Sequence, residues 1–346
     1  MTARCLFPCP TRRGGAGLLA LALAIGSLSL GSAPAADFIT LCREKGAAAE
    51  ARTDLAVAGM DGWFFLAQEL RHLGVGPFWG TNALHASRAT QPENADPLPA
   101  ILDFHQQLKT AGIRLILLPV PAKAALYPDK LDAQLAPAPN LANADTEFLA
   151  LLRQKGIDVL DLTETLLARR DEQMFCKTDS HWSGLACVLA AQKVAERLKP
   201  EANWTRENFL AETRPVAFTG DLVSNTPVTE SIPLRFVTTA AGQPVKPSRT
   251  SPILLMGDSH CLVFHAGSDL LATGAGLPDQ LALELGLPVD LLGVRGSGAT
   301  PARLSLMRQA RVNPDYLKSK RVVIWCFTVR EFTESSGWSR VPLPLP

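Results

Sequence analysis

Two short motifs in this 346-residue chain hold the side chains that acyl chemistry needs. Asp179-Ser180-His181-Trp182 puts a carboxylate two residues before an imidazole. On an extended segment, residues two apart face the same side. Asp179 can then bond one nitrogen of His181, which leaves the other free to take a proton. Gly257-Asp258-Ser259 follows the apolar run Pro252 to Met256. A serine at the first turn after a buried strand exposes its hydroxyl, and helix amides behind it would stabilise an oxyanion. Together the motifs supply a nucleophile (Ser259), a base (His181) and an orienting acid (Asp179). Each has a plainer reading as well: Ser259 as a helix N-cap, Asp179 as a surface acid or a cap. Ser259 and His181 are 78 positions apart, so only the fold can bring them together.

Other residues compete for roles. His260 adjoins Ser259, but on a helix it would point away from its neighbour. Asp179, His181, Asp258 and His260 form a conceivable metal set, yet an ordered His–carboxylate pair serves a triad as readily. No metal or cofactor is expected. The Ser259 amide is one candidate oxyanion donor. Gly298, in Gly296-Ser297-Gly298, is the second, because glycine permits close backbone approach. Its plainer reading is an ordinary strand-to-helix turn. Cys261 reads as a buried packing residue.

The elements that must position these groups follow a βα rhythm from residue 97. Residues 98–111 read as a helix stopped by Gly112, and 113–118 as a nearly continuous apolar strand. Residues 146–155 repeat the helix, Gly156 stops it, and 157–162 are strand-like. Residues 183–198 form an amphipathic helix with Ser183 as N-cap. Residues 200–250, rich in Pro and Thr, read as an irregular insertion. Strands follow at 252–256, 288–294 and 321–327, with a helix directly after the first and another at 301–311. The pattern predicts an α/β fold: a doubly wound parallel sheet with helices on both faces, in one domain over 37–346. No separate binding module is expected after the last strand.

The N-terminus reads as an export signal. Residues 1–36 hold three arginines, no acid, a 13-residue apolar centre and a small-residue exit. Cleavage is expected near Ala35 or Ala36. The uncharged run 14–36 also has the length of an uncleaved anchor. The whole chain has 34 basic and 33 acidic residues, and without its leader it is faintly acidic. Such a balance argues against a nucleic-acid partner. Five cysteines remain past the leader, and in an oxidising compartment Cys176 and Cys187 would bridge, or Cys42 would pair with either.

Beyond these motifs, the chain resembles the SGNH-hydrolase-like O-acetyltransferases of exopolysaccharide biosynthesis, the alginate acetyltransferase AlgX/AlgJ type. Four blocks carry the resemblance: Gly59 to Phe65 with Glu69-Leu70-Arg71; Leu115 to Lys130; Thr178 to Trp182; and Gly257 to His260. The closing strand Val322 to Phe327 with Arg330-Glu331 also fits. The resemblance implies an SGNH-like fold and acetyl transfer through an acyl-Ser259, with His181 as base and Asp179 as its acid. It implies a polysaccharide acceptor, an acetyl donor delivered by a membrane acetyl exporter, a synthesis complex as partner, and a periplasmic location. A carbohydrate acetylesterase or a non-catalytic polysaccharide-binding scaffold would use the same fold. The usual SGNH asparagine block is not recognisable. Trp182, Arg330, Lys123 and Tyr127 are the substrate-binding candidates, the last three because they follow strand ends, where ligands bind in open α/β sheets.

Overall fold

The computed structural model describes residues 33–139, 141–199, 203–223 and 228–345. The leader predicted over 1–36 lies, up to residue 32, outside them. Among the described residues no helix is long and apolar enough to cross a membrane. The first half of the chain holds α1 (Ala33–Ala51), β1 (Ala56–Ala58), β2 (Phe64–Leu66), α2 (Ala67–Gly74), α3 (Ala83–Ala86), α4 (Pro97–Thr110), β3 (Arg114–Val120), α5 (Lys123–Leu126), α6 (Pro128–Leu131), α7 (Asn143–Gln154), β4 (Asp158–Val159) and α8 (Thr163–Leu167). Then come α9 (Gly184–Leu198), β5 (Phe209–Phe218), β6 (Glu230–Thr239), β7 (Ile253–Gly257), α10 (Leu277–Leu285), β8 (Asp290–Gly293), α11 (Thr300–Val312), β9 (Val322–Thr328) and α12 (Glu331–Glu334).

The apolar runs build a five-stranded sheet in the order β4-β3-β9-β7-β8, and every neighbouring pair is parallel. Every residue of β7 and β9 is buried. Successive strand residues point to opposite faces, so both faces of the sheet are covered. The helices that cover it start and stop as their sequences direct. Asp96 caps α4 by accepting from the Leu98 amide at 3.0 Å. Ser183 caps α9 through the Ala186 amide, as predicted. Gly112 and Gly156 take the left-handed conformation that ends α4 and α7.

Two expectations fail. The stretch 200–250 is not irregular: β5 and β6 pair antiparallel over ten residues each, from Phe209↔Thr239 to Phe218↔Glu230. Proline disguised them. Pro215 sits opposite Pro233, and a two-stranded pair has free edges where a missing N–H costs nothing. Nor does a helix follow β7 directly. A single 3-10 turn, Ser259–Cys261, takes that place, and α10 begins only at Leu277.

Candidate active site

The site lies where β7 and β9 end. Gly257 closes β7 with φ +154°, and a Cβ there would come within 1.5 Å of the Cys326 carbonyl oxygen. Only glycine lets the chain turn so close to the central strand. Asp258 then ties the turn down. One of its carboxylate oxygens accepts from the His260 amide at 2.9 Å, and the other from the Thr328 amide at 2.8 Å. Burial pushes its pKa up, but His260, Arg330 and the Thr328 amide outweigh burial and hold it at about 2. Ser259 is left at the crest of the turn.

His181 comes from a tight loop. The Cys176 amide donates to the His181 carbonyl at 3.2 Å, and Phe175 bridges to Trp182. Asp179 sits at the tip, and its Oδ1 accepts from the His181 amide at 3.0 Å and lies 2.6 Å from His181 Nδ1. His181 Nε2 is 2.7 Å from Ser259 Oγ. So the two motifs meet as their chemistry requires, although the segment is a tight loop rather than the extended segment expected. Burial opposes a charged His181, but the hydrogen bond and charge of Asp179 more than offset it, so the imidazole pKa is raised. Asp179 is itself held at about 2 against its burial, chiefly by His181 and by the Asp221 and His181 amides. A hydroxyl, imidazole and carboxylate in this order can pass a proton from serine to histidine while the acid fixes the tautomer.

Asp221 was not foreseen. It stands just past β5, and its amide donates to Asp179 Oδ2 at 3.0 Å. Its carboxylate accepts from the Ser180 amide at 2.7 Å and from Ser180 Oγ at 2.6 Å. The ligand atoms of Asp179, His181 and Asp221 lie within 4.8 Å of one another. These hydrogen bonds already engage every one of them. No motif in the sequence marks Asp221, because it reaches the site through the misread insertion.

The 296–298 turn packs against the serine turn. A Cβ on Gly298 would lie 2.9 Å from the Asp258 amide nitrogen and 2.5 Å from Phe327 Cβ. Trp325 Nε1 donates to the Gly298 carbonyl at 2.7 Å. The amides of Ser259 and Gly298 have no acceptor among the described residues. Glu331 Oε2 holds the turn from behind, accepting from Ser297 Oγ at 2.7 Å and from the Ala299 amide at 3.3 Å.

Three of the four substrate-binding candidates are buried and hydrogen-bonded inside the fold. Trp182 is fully buried and donates to the His260 carbonyl at 3.2 Å, so no sugar can stack on it. Tyr127 is buried, with its hydroxyl donating to the Arg170 carbonyl and accepting from the Met174 amide. Lys123 is also buried, and its ammonium bonds three main-chain carbonyls. Lys123, Tyr127 and Arg330 do follow the ends of β3 and β9, but a place after a strand does not reveal which way a side chain turns. Arg330 differs. It is 8% exposed, and its buried Nη1 has no hydrogen-bond partner among the described residues. His260 pairs with Asp258 at 3.1 Å, and burial, more than any neighbour, lowers its pKa. The expected disulfides are absent: Cys42, Cys176 and Cys187 are free and buried, as are Cys261 and Cys326. Cys176 instead points its thiol at the Trp182 carbonyl, 3.7 Å away.

Residues 56–329 match the family described as the SGNH hydrolase-like domain of acetyltransferase AlgX. The chain belongs to this family. One relative, named "Probable alginate O-acetylase AlgJ" from Pseudomonas aeruginosa, is 31% identical over 180 residues. That alignment covers 50% of this chain and 41% of the relative, so the chain spans less than half of that relative's length. The solved O-acetyltransferase domain of Pseudomonas putida AlgJ superposes with a TM-score of 0.60 at 24% identity, covering 80% of this chain and 91% of the domain. Pseudomonas aeruginosa AlgX superposes with a TM-score of 0.56 at 20% identity over 79% of this chain and 61% of AlgX. The two superpositions show that the chain has the AlgX/AlgJ fold, the SGNH-like α/β architecture expected from the sequence.

Proposed function

We propose that this AlgX-family chain is an O-acetyltransferase that moves acetyl groups through an acyl-serine onto hydroxyls of an exported polysaccharide. The observation that carries this reading is the 2.7 Å contact of Ser259 Oγ with a His181 whose far nitrogen is held by Asp179. Ser259 attacks the acetyl carbonyl of a donor while His181 Nε2 takes the hydroxyl proton. The Ser259 and Gly298 amides stabilise the oxyanion, and His181 returns the proton to the leaving group. A sugar hydroxyl then gives its proton to His181, attacks the acyl-serine, and leaves as the acetyl ester while Ser259 is reprotonated.

Arg330, whose Nη1 has no hydrogen-bond partner among the described residues, is the remaining candidate for holding donor or acceptor. The relatives' name, "Probable alginate O-acetylase AlgJ", supports an alginate-like acceptor, and such an acceptor implies a polysaccharide-synthesis complex as partner. The basic and apolar leader supports export, and with it a periplasmic site and a donor delivered across the membrane.

The test is turnover of p-nitrophenyl acetate, followed by transfer to an oligosaccharide. Ser259→Ala and His181→Ala should lose the acyl-enzyme. Transfer to sugar, read by mass spectrometry, separates the transferase from an acetylesterase, which would yield only free acetate. Wild-type turnover by Ser259→Ala would overturn the reading and leave a binding scaffold.

A further inference from the structure

Lys123 opens α5, at the turn that follows β3, and is 1% exposed. A lone buried ammonium is costly unless each of its N–H groups finds an acceptor. Here all three do. Nζ donates to the carbonyls of Phe64 at 2.6 Å, Lys177 at 3.0 Å and Asp179 at 3.0 Å. The rings of Trp63 and Phe65 lie 5.4 and 5.6 Å from Nζ. The bonds tie β2 to two points of one loop, the carbonyls of Lys177 and Asp179 in the segment that carries His181. That loop has neither a helix nor a sheet ladder between residues 177 and 181, so its shape depends on such outside bonds.

We propose that Lys123 is the positioning residue of the proton-transfer pair: by fixing the main chain of Asp179 it fixes the Asp179–His181 hydrogen bond, and losing one of its N–H bonds misaligns the base. The proposal rests on the acyl-serine reading above and adds to it a control point 56 positions away in sequence.

The amine itself titrates in reach of ordinary pH. Burial lowers its pKa to about 8, against the opposing pull of Cys176, Glu69, Asp179 and Glu230. These groups face it from the catalytic loop, from α2 and from the start of β6, together with Lys177, whose ammonium lies 5.9 Å from the Trp63 ring. Loss of the proton leaves an amine with two N–H groups for three carbonyls. One carbonyl is then buried and unpaired.

The experiment measures kcat and KM against pH for wild type, Lys123→Met, Lys123→Arg and Ser259→Ala, with folding checked by circular dichroism. Wild-type kcat should fall on an alkaline limb near pH 8. Lys123→Met should lose about 10²-fold in kcat, the scale of a displaced catalytic group, with KM little changed and no alkaline limb. Lys123→Arg stays charged above pH 12, so its limb should vanish while part of kcat returns. If Lys123→Met does not fold, the wild-type and Lys123→Arg profiles decide. Wild-type kcat in Lys123→Met, or a Lys123→Arg with wild-type kcat and an unchanged limb, overturns the proposal. An inactive Ser259→Ala beside a fully active Lys123→Met sinks the Lys123 role alone, whereas an active Ser259→Ala removes the acyl-serine reading and this role with it.

Discussion

At the scale of single residues, the proposed role of His181 as base makes its proton balance the setting of the acid side of activity. A base must be neutral to accept the Ser259 proton. The raised His181 pKa therefore places the acid limb of kcat/KM above the ordinary value of 6.5. Asp179 is what raises it. Asp179→Asn should move that limb to lower pH and cut the rate by up to about 10⁴-fold through loss of the tautomer lock. An unmoved limb in a pH–rate profile would separate Asp179 from His181. Trp182 makes the opposite case. Being fully buried, it should matter for stability rather than for sugar affinity. Trp182→Phe should cost about 1 kcal/mol or more for its lost hydrogen bond and the changed packing, measured by urea unfolding, with acceptor KM unchanged. A raised KM at unchanged stability would restore a sugar-stacking role. The two halves of the candidate triad were legible because each is a local motif: Asp179 two residues before His181, and Ser259 at the turn after an apolar run. Their meeting across 78 positions was left to the fold. The direction of Trp182, Tyr127 and Lys123 was not legible, since it depends on neighbours from β2, the 170–174 turn and the serine turn.

At the scale of elements, α12 works as a brace. His72 of α2 bonds Thr333 Oγ1 through Nδ1 at 2.9 Å and Asp145 of α7 through Nε2 at 2.9 Å. Arg71 of α2 pairs with Glu334. So anchored, α12 presents Glu331 to the turn that carries Gly298. Burial first, then the nearby Asp258 charge, pushes the Glu331 pKa up to about 7. Both donors of the turn go to the same oxygen, so the brace survives with a neutral side chain. Glu331→Gln should keep kcat within about threefold, whereas Glu331→Ala should lose about 10²-fold as the turn loosens. The sign of the stability change follows from linkage. A carboxyl with a raised folded pKa contributes its stability in full below the ordinary 4.5, and that contribution is gone once pH passes about 7. The Tm gain of Glu331→Gln over wild type should then grow across that window and level off above it. A gap that narrows with pH in thermal melts would refute the assignment. The β5–β6 pair shows why elements are harder to read than motifs. Its prolines are breakers in a central strand but harmless at free edges, and composition does not tell the two apart.

At the scale of the whole molecule, the βα rhythm was legible because strands covered on both faces must be apolar throughout. Strand order was not, because it depends on pairings between distant segments. The last strand in sequence, β9, lies at the centre of the sheet, between β3 and β7. Its register joins Leu115 of β3 and Leu254 of β7 to the same residue, Val323. The site depends on this strand too, since Asp258 is tied to Thr328 and Gly298 to Trp325. Val322, Val323, Ile324, Trp325 and Phe327 are all buried. At about 1.5–3 kcal/mol each, their burial contributes on the order of 10 kcal/mol. That equals the full stability of about 5–15 kcal/mol expected of a domain. A chain ended after Lys320 should therefore show no cooperative urea transition, even with Asp179, His181 and Ser259 all present. If a cooperative transition survived in that shortened chain, β3 and β7 would have to close on each other without β9, and the central place of this strand in stability would be disproved.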